Sequence, residues 1–99
     1  MSNAEKLYEI VRQIPTGKVL TYGRLAEMTG IKSARVVGNI LHENPDPESV
    51  PCHRVVNRKG ELALRYAFGG ASAQAQKLAS EGIVLDNSNR VDLNKYLCR

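Results

Sequence analysis

Only two cysteines, Cys52 and Cys98, occur among the 99 residues. Two thiols are too few for the disulfide framework that staples small secreted domains, and their spacing matches no zinc-binding pattern. Reduced thiols in a cytoplasmic protein are the simplest expectation. No second cluster of Cys or His completes a metal site, so no metal is expected. The sequence has no apolar run long enough to cross a membrane. Its first residues, Met1 to Lys6, lack the apolar segment of a signal peptide. It also has no internal repeat, no low-complexity segment and no composition shift that would mark a linker, so residues 1–99 read as a single domain.

What is present fits a small globular protein. The apolar fraction of 42% is enough for one modest core. The formal net charge of +4 fits a polyanionic partner, although charge alone does not single out nucleic acid.

Along the chain, Leu7, Ile10, Val11 and Ile14 follow helical spacing, with Lys6, Glu9, Arg12 and Gln13 on the other side. Pro15-Thr16-Gly17-Lys18 ends that helix, and Val19-Leu20 is a short extended stretch. Thr21 has the character of an N-cap for a helix over Gly23 to Met28, with Leu25 and Met28 inward and Gly30 as its C-terminal cap. Ser33 is the next N-cap, for a helix over about Ala34 to Glu43 with Val37, Ile40 and Leu41 inward. Asn44-Pro45-Asp46-Pro47 stops it. Two short helices joined at Thr29-Gly30-Ile31-Lys32 form a helix-turn-helix pattern. The second would be the recognition helix, presenting Lys32, Ser33 and Arg35 at its start. An ordinary packed helix pair has the same pattern. Further on, Arg54-Val55-Val56 favours a strand, and Asn57-Arg58-Lys59-Gly60 is a hairpin turn signal. Glu61 to Leu64 is the returning strand, and Arg65 to Gly70 is a loop. Ser72 caps a helix to about Ser80 with Ala75, Leu78 and Ala79 inward. Val91 and Leu93 read as a last strand. The fold class is α+β and mostly helical: a winged-helix-like helix-turn-helix with a short β-hairpin beside Cys52.

Val50-Pro51-Cys52-His53-Arg54 carries the chemistry. A thiol is a strong nucleophile only as thiolate, and a nearby base or cation promotes ionisation. His53 and Arg54 are the candidate partners. Neighbours on a strand point to opposite faces, so His53 serves Cys52 only if the backbone turns sharply there or a water bridges the gap. A small buried thiol and a histidine satisfied by backbone groups are the plain alternative.

Pro51-Cys52-His53-Arg54-Val55-Val56 resembles the active-site signature of the O6-alkylguanine-DNA alkyltransferases. Ile14-Pro15-Thr16-Gly17-Lys18-Val19, Thr21-Tyr22-Gly23-Arg24-Leu25-Ala26, Ala34-Arg35-Val36-Val37-Gly38 and Glu43-Asn44-Pro45 occur in that family's order and spacing. Gly69-Gly70 and Glu81-Gly82 follow, so the resemblance spans about Leu7 to Val84.

That resemblance implies roles residue by residue. Cys52 would accept the alkyl group irreversibly from guanine O6, His53 would act on the thiol through a water, and Glu81 would orient His53. Asn44 would brace the active-site turn. Arg35 would enter the duplex and fill the gap left by a flipped base, Tyr22 would crowd a phosphate, and Gly38 would let the recognition helix approach closely. Lys32 and Ser33 would join the DNA contact. Pro51, Val55, Tyr66, Gly69 and Gly70 would line a lesion pocket wide enough for a purine beside the sulfur. A base inside the stack hides its reactive atom, so extrusion is required, and an inserted side chain offsets its cost. The implied partner is double-stranded DNA containing O6-alkylguanine, met by a monomer without cofactor or membrane.

Three features depart from the alkyltransferases. The N-terminal domain many members carry is missing, Tyr66 sits in a longer loop before Gly69-Gly70, and the compact length and tail resemble the alkyltransferase-like proteins. Those bind the lesion without transferring the group and usually replace the cysteine. For a protein of that kind the resemblance implies nucleotide-excision-repair proteins as further partners. Transfer to Cys52, lesion binding alone, and plain helix-turn-helix DNA binding all stay open on the sequence.

Overall fold

Helix α1, Asn3–Arg12, starts where the Ser2 hydroxyl accepts a hydrogen bond from the Glu5 N–H at 3.1 Å. It buries Leu7 and Val11, and Ile14 follows them inward. Full burial of each such side chain stabilises the fold by about 1.5–3 kcal/mol. The computed structural model describes residues 2–63 and 66–98. The two-residue strand β1, Leu20–Thr21, leads into α2, Tyr22–Thr29. Thr21 caps α2 by accepting from the Arg24 N–H at 3.1 Å, and Gly30 ends it in the left-handed region at φ 76°. Ser33 accepts from the Val36 N–H at 3.3 Å and starts α3, Ala34–His42. The three caps predicted for α2 and α3 are therefore in place, and these two helices form the helix-turn-helix packed on α1.

The inward faces differ in detail from the sequence reading. Met28 is exposed, and Ala26 and Thr29 are buried in its stead. Thr29 is tolerated inside because its hydroxyl donates to the Leu25 carbonyl at 2.7 Å and accepts from the Ile31 N–H at 3.3 Å. Ile40 is half-buried.

The strand after Cys52 finds a different partner from the one expected. Val55–Val56 forms β2, which pairs in parallel with β1 in the register Leu20 with Val55 and Thr21 with Val56. The hairpin is reduced to its turn. Gly60 N–H donates to the Asn57 carbonyl at 2.9 Å and Asn57 N–H to the Glu61 carbonyl at 3.2 Å. Glu61 then pairs with Arg90, not along β2. The turn is pinned from behind, since Val91 N–H donates to the Gly60 carbonyl at 2.8 Å. Gly60 sits at φ 79°, and a Cβ there would lie 2.1 Å from the Val91 carbonyl oxygen, so the position demands glycine. Of the expected return strand, Leu64 lies outside the described residues, as does Arg65 of the following loop.

Helix α4, Gly70–Ser80, begins earlier than the Ser72 cap predicts, with Gly69 at φ 115° before it. Gln74 and Leu78 are its buried residues, while Ala79 is exposed. Of the predicted last strand, Val91 makes only an isolated antiparallel bridge with Leu85, and Leu93 instead opens a short helix α5, Leu93–Tyr96, capped by Asp92. Two apolar clusters result. One joins α1, α2, α3, Val50, Cys52 and Val55, and the other joins Val19, Val56, Leu78, Ile83, Val91 and Tyr96. β1 and β2 run between them, so Cys52 sits where the helical layer meets the C-terminal one. No described helix is long and apolar enough to cross a membrane.

Candidate functional site

The chain bends at Cys52 because its preceding carbonyls are held. The Asn44 side-chain amide donates to the Val50 carbonyl at 2.8 Å, and Asn44 Oδ1 accepts from the Asp46 N–H at 3.0 Å. Cys52 N–H donates to the same Val50 carbonyl at 2.7 Å, across Pro51 at φ −75° and ψ 70°. Those angles are an inverse γ-turn. A 3-10 turn, Cys52–Arg54, follows at once. Three residues per turn replace strand alternation here, so Cys52 and His53 no longer face opposite sides. The sharp turn that the Cys-His pair requires is therefore present.

His53 Nε2 lies 2.6 Å from Glu81 Oε2. A carboxylate only accepts, so Nε2 carries the proton and Nδ1 is left as the basic atom. Nδ1 is buried and has no partner among the described residues. Burial lowers the His53 pKa, against the opposing pull of Glu81, so the ring is neutral at neutral pH. Glu81 is clamped from its other side by Arg54, whose Nε donates to Oε1 at 2.9 Å and whose Nη2 donates to Oε2 at 2.8 Å. Burial would raise the Glu81 carboxyl, but the hydrogen bonds from Arg54 and His53 outweigh it and hold the group below its ordinary value. Arg54 also donates to the Ile14 carbonyl at 2.7 Å. It is thus committed to Glu81 and the backbone, and is not the cation that acts on the thiol.

The sequence reading missed Lys77 on α4. Burial pushes the Cys52 thiol up, while Asn44, Lys77 and Tyr66 favour the thiolate. Lys77 Nζ donates to the Tyr66 hydroxyl at 2.9 Å. The signal lay in spacing: Gln74, Lys77, Leu78 and Glu81 recur at three- and four-residue steps on one helical face. Gln74 was missed for the same reason. Fully buried, it donates to the His53 and Val55 carbonyls, each at 3.1 Å, and accepts from the Ala63 N–H at 2.8 Å.

Arg35 stands exposed in the first turn of α3, with Lys32 exposed just before it and Ser33 engaged as the cap. A groove of about 680 Å³ runs past Arg35, bounded by Tyr22, Gly23 and Gly38 on one side and by Asn57 and Lys59 on the other. Tyr22 and Gly38 also border a cavity of about 50 Å³ beside Cys52, closed by Ala63, Tyr66 and Phe68. Burial, with the thiol's charge adding, pushes the Tyr22 hydroxyl up to about 12. Of the five residues expected in the pocket, Tyr66 lines this cavity, whereas Pro51, Val55, Gly69 and Gly70 do not. Nor is it purine-sized. At about 30 Å³ per water it holds one or two solvent molecules. Cys52 itself is only 6% exposed.

Residues 2–83 match the family described as 6-O-methylguanine DNA methyltransferase, DNA binding domain. The chain belongs to that family. Among its methyltransferase-family relatives, the DNA base-flipping protein of Escherichia coli K12 is 38% identical over 93 residues, which are 93% of this chain and 70% of that protein. The crystal structure of Schizosaccharomyces pombe Atl1 in complex with damaged DNA containing O6-carboxymethylguanine superposes with a TM-score of 0.84 at 33% identity, covering 98% of this chain and 94% of that one. The O6-methylguanine-DNA methyltransferase from Pyrococcus kodakaraensis KOD1 gives a TM-score of 0.73 at 36% identity, over 84% of this chain and 47% of that one.

Proposed function

We propose that the protein binds duplex DNA through α2 and α3, extrudes an O6-alkylguanine, and transfers its alkyl group to Cys52. The observation that carries this reading is the pairing of Cys52 and His53 on one 3-10 turn, with His53 Nε2 held by Glu81 and Nδ1 unpartnered. In the step, the thiol proton passes to Nδ1 through a bridging water. The sulfur–carbon bond forms as the carbon–O6 bond breaks, the guanine leaves as an anion, and the proton returns to it from His53. A thioether has no easy reversal, so each molecule acts once. A neutral imidazole is the form this chemistry needs, and burial supplies it.

Capture of the base requires the cavity wall formed by Tyr66 and Phe68 to move outward, because the space beside the sulfur is smaller than a purine. Arg35, exposed at the groove, fills the stack as the base leaves. The test is intact-protein mass measurement after incubation with a duplex carrying O6-methylguanine. The expected result is a gain of one methylene on Cys52 and none in Cys52→Ser; a bound lesion with an unchanged Cys52 would overturn transfer.

One observation favours a second reading, lesion binding without transfer. The likeness to Atl1 in its damaged-DNA complex extends over nearly the whole chain, and the thiol is buried, which opposes its ionisation. On this reading the protein holds the lesion for other repair proteins, and the mass measurement leaves Cys52 unmodified.

A further inference from the structure

The group that most directly connects the Cys52 cavity to the rest of the molecule is Lys77. Tyr66 is buried and forms a wall of that cavity, with its ring edge-on to Phe68 at 5.5 Å between centroids and 70° between planes. The Lys77 ammonium donates to the Tyr66 hydroxyl at 2.9 Å and lies 5.3 Å from the Tyr66 ring centre and 5.8 Å from that of Phe68. One half-buried cation therefore engages both aromatic walls. It also occupies the acceptor side of the Tyr66 oxygen, which leaves the tyrosine's own O–H free to turn toward the sulfur.

We propose that Lys77 is a positioning residue of this site: by donating to the Tyr66 hydroxyl it fixes the tyrosine against the Cys52 cavity and supplies, through that hydroxyl, the positive partner that Arg54 does not give. The proposal rests on Cys52 being the reactive group of the site. Titratable groups face the Cys52 cavity from each packed element: Tyr8 on α1, Tyr22 on α2, His42 on α3, Tyr66 in the loop before α4, Lys77 on α4, and His53 next in the chain. Among these, Lys77 is the ammonium group, and it is bonded to the Tyr66 hydroxyl. Its contribution opposes the burial that raises the thiol.

The test uses iodoacetamide in place of DNA, with labelling of Cys52 followed by mass spectrometry in a Cys98→Ser background. In Lys77→Met the pH profile of labelling is displaced upward by about one pH unit, so labelling at about pH 8 slows about tenfold. Lys77→Arg stays within about twofold of wild type, because it keeps the donor and the charge. A mere opening of the cavity admits water to the thiol, relieves the burial that raises it and moves the profile down, opposite to the loss of a cation. Tyr66→Phe severs the link while keeping the ring and shifts the profile in the same direction, which carries the test if Lys77→Met fails to fold. Superimposable pH profiles for wild type and whichever of the two variants folds would overturn the proposal. A protein that never accepts a methyl group from DNA still gives the displaced profile, so the two readings fail separately.

Discussion

Glu81 stands at the C-terminal end of α4, where the helix dipole disfavours a negative charge. Its placement makes sense once its two donors are counted: the Arg54 guanidinium grips both carboxylate oxygens, and the neutral His53 ring donates to one of them. The pH dependence follows. His53 is driven down from its ordinary value of 6.5, so neutral base is still present when a free histidine would be half protonated. The acid limb of the transfer rate is expected below pH 6.5, and single-turnover rates across that range check it. A limb above that value would mean that His53 is not the base. For stability the sign is the same. Below His53's ordinary value the unfolded chain binds a proton that the native ring resists, and Glu81's contribution is lost as pH falls through its depressed value. Glu81→Gln removes the negative charge and turns one of the two acceptor oxygens into a donor, which loosens the hold on the imidazole and on Arg54, and the rate is expected to fall by about tenfold to a hundredfold. At this scale the residues that meet at the turn, Cys52, His53, Glu81 and Asn44, were all legible, because each lies in a short motif. Lys77 and Gln74 were not, because they belong to no motif and become polar partners only when α4 packs against the turn.

At the scale of elements, local signals fared better than pairings. Thr21 and Ser33 start helices through hydrogen bonds within three residues, and Gly30 ends one by its own left-handed backbone, so such signals can be read from sequence. The partner of β2 could not be read so, because Leu20 and Val55 are distant in the chain and a turn signal at Asn57 to Gly60 favours the nearer strand. What binds the 3-10 turn and β2 to α4 is Gln74, through its bonds to two carbonyls and the Ala63 N–H. Gln74→Leu keeps the bulk and removes all three. Stranding buried backbone groups costs about 1–3 kcal/mol each at most, so a loss of about 2–4 kcal/mol is expected in urea or thermal unfolding. A loss below about 1 kcal/mol would show that solvent reaches those groups and that the link is not structural.

For the molecule as a whole, the groove beside Arg35 and the small cavity at Cys52 share Tyr22 and Gly38, so on the proposed function a duplex in the groove would lie next to the sulfur. Arg35, Lys32, Arg58 and Lys59 are exposed, and affinity for duplex is expected to fall steeply with added salt as phosphate contacts release counterions. Arg35 itself admits two roles that the salt series separates. An arginine that neutralises a phosphate contributes about one unit to the slope of log affinity against log salt, whatever the DNA carries. An arginine that fills the stack behind an extruded base is needed only when a base has left. Arg35→Ala is therefore expected to weaken binding to an O6-methylguanine duplex by about tenfold or more, to weaken binding to unmodified duplex less, and to leave the salt slope unchanged. Equal weakening on both duplexes with a shallower slope would make Arg35 a phosphate contact and return the finger's role to another side chain.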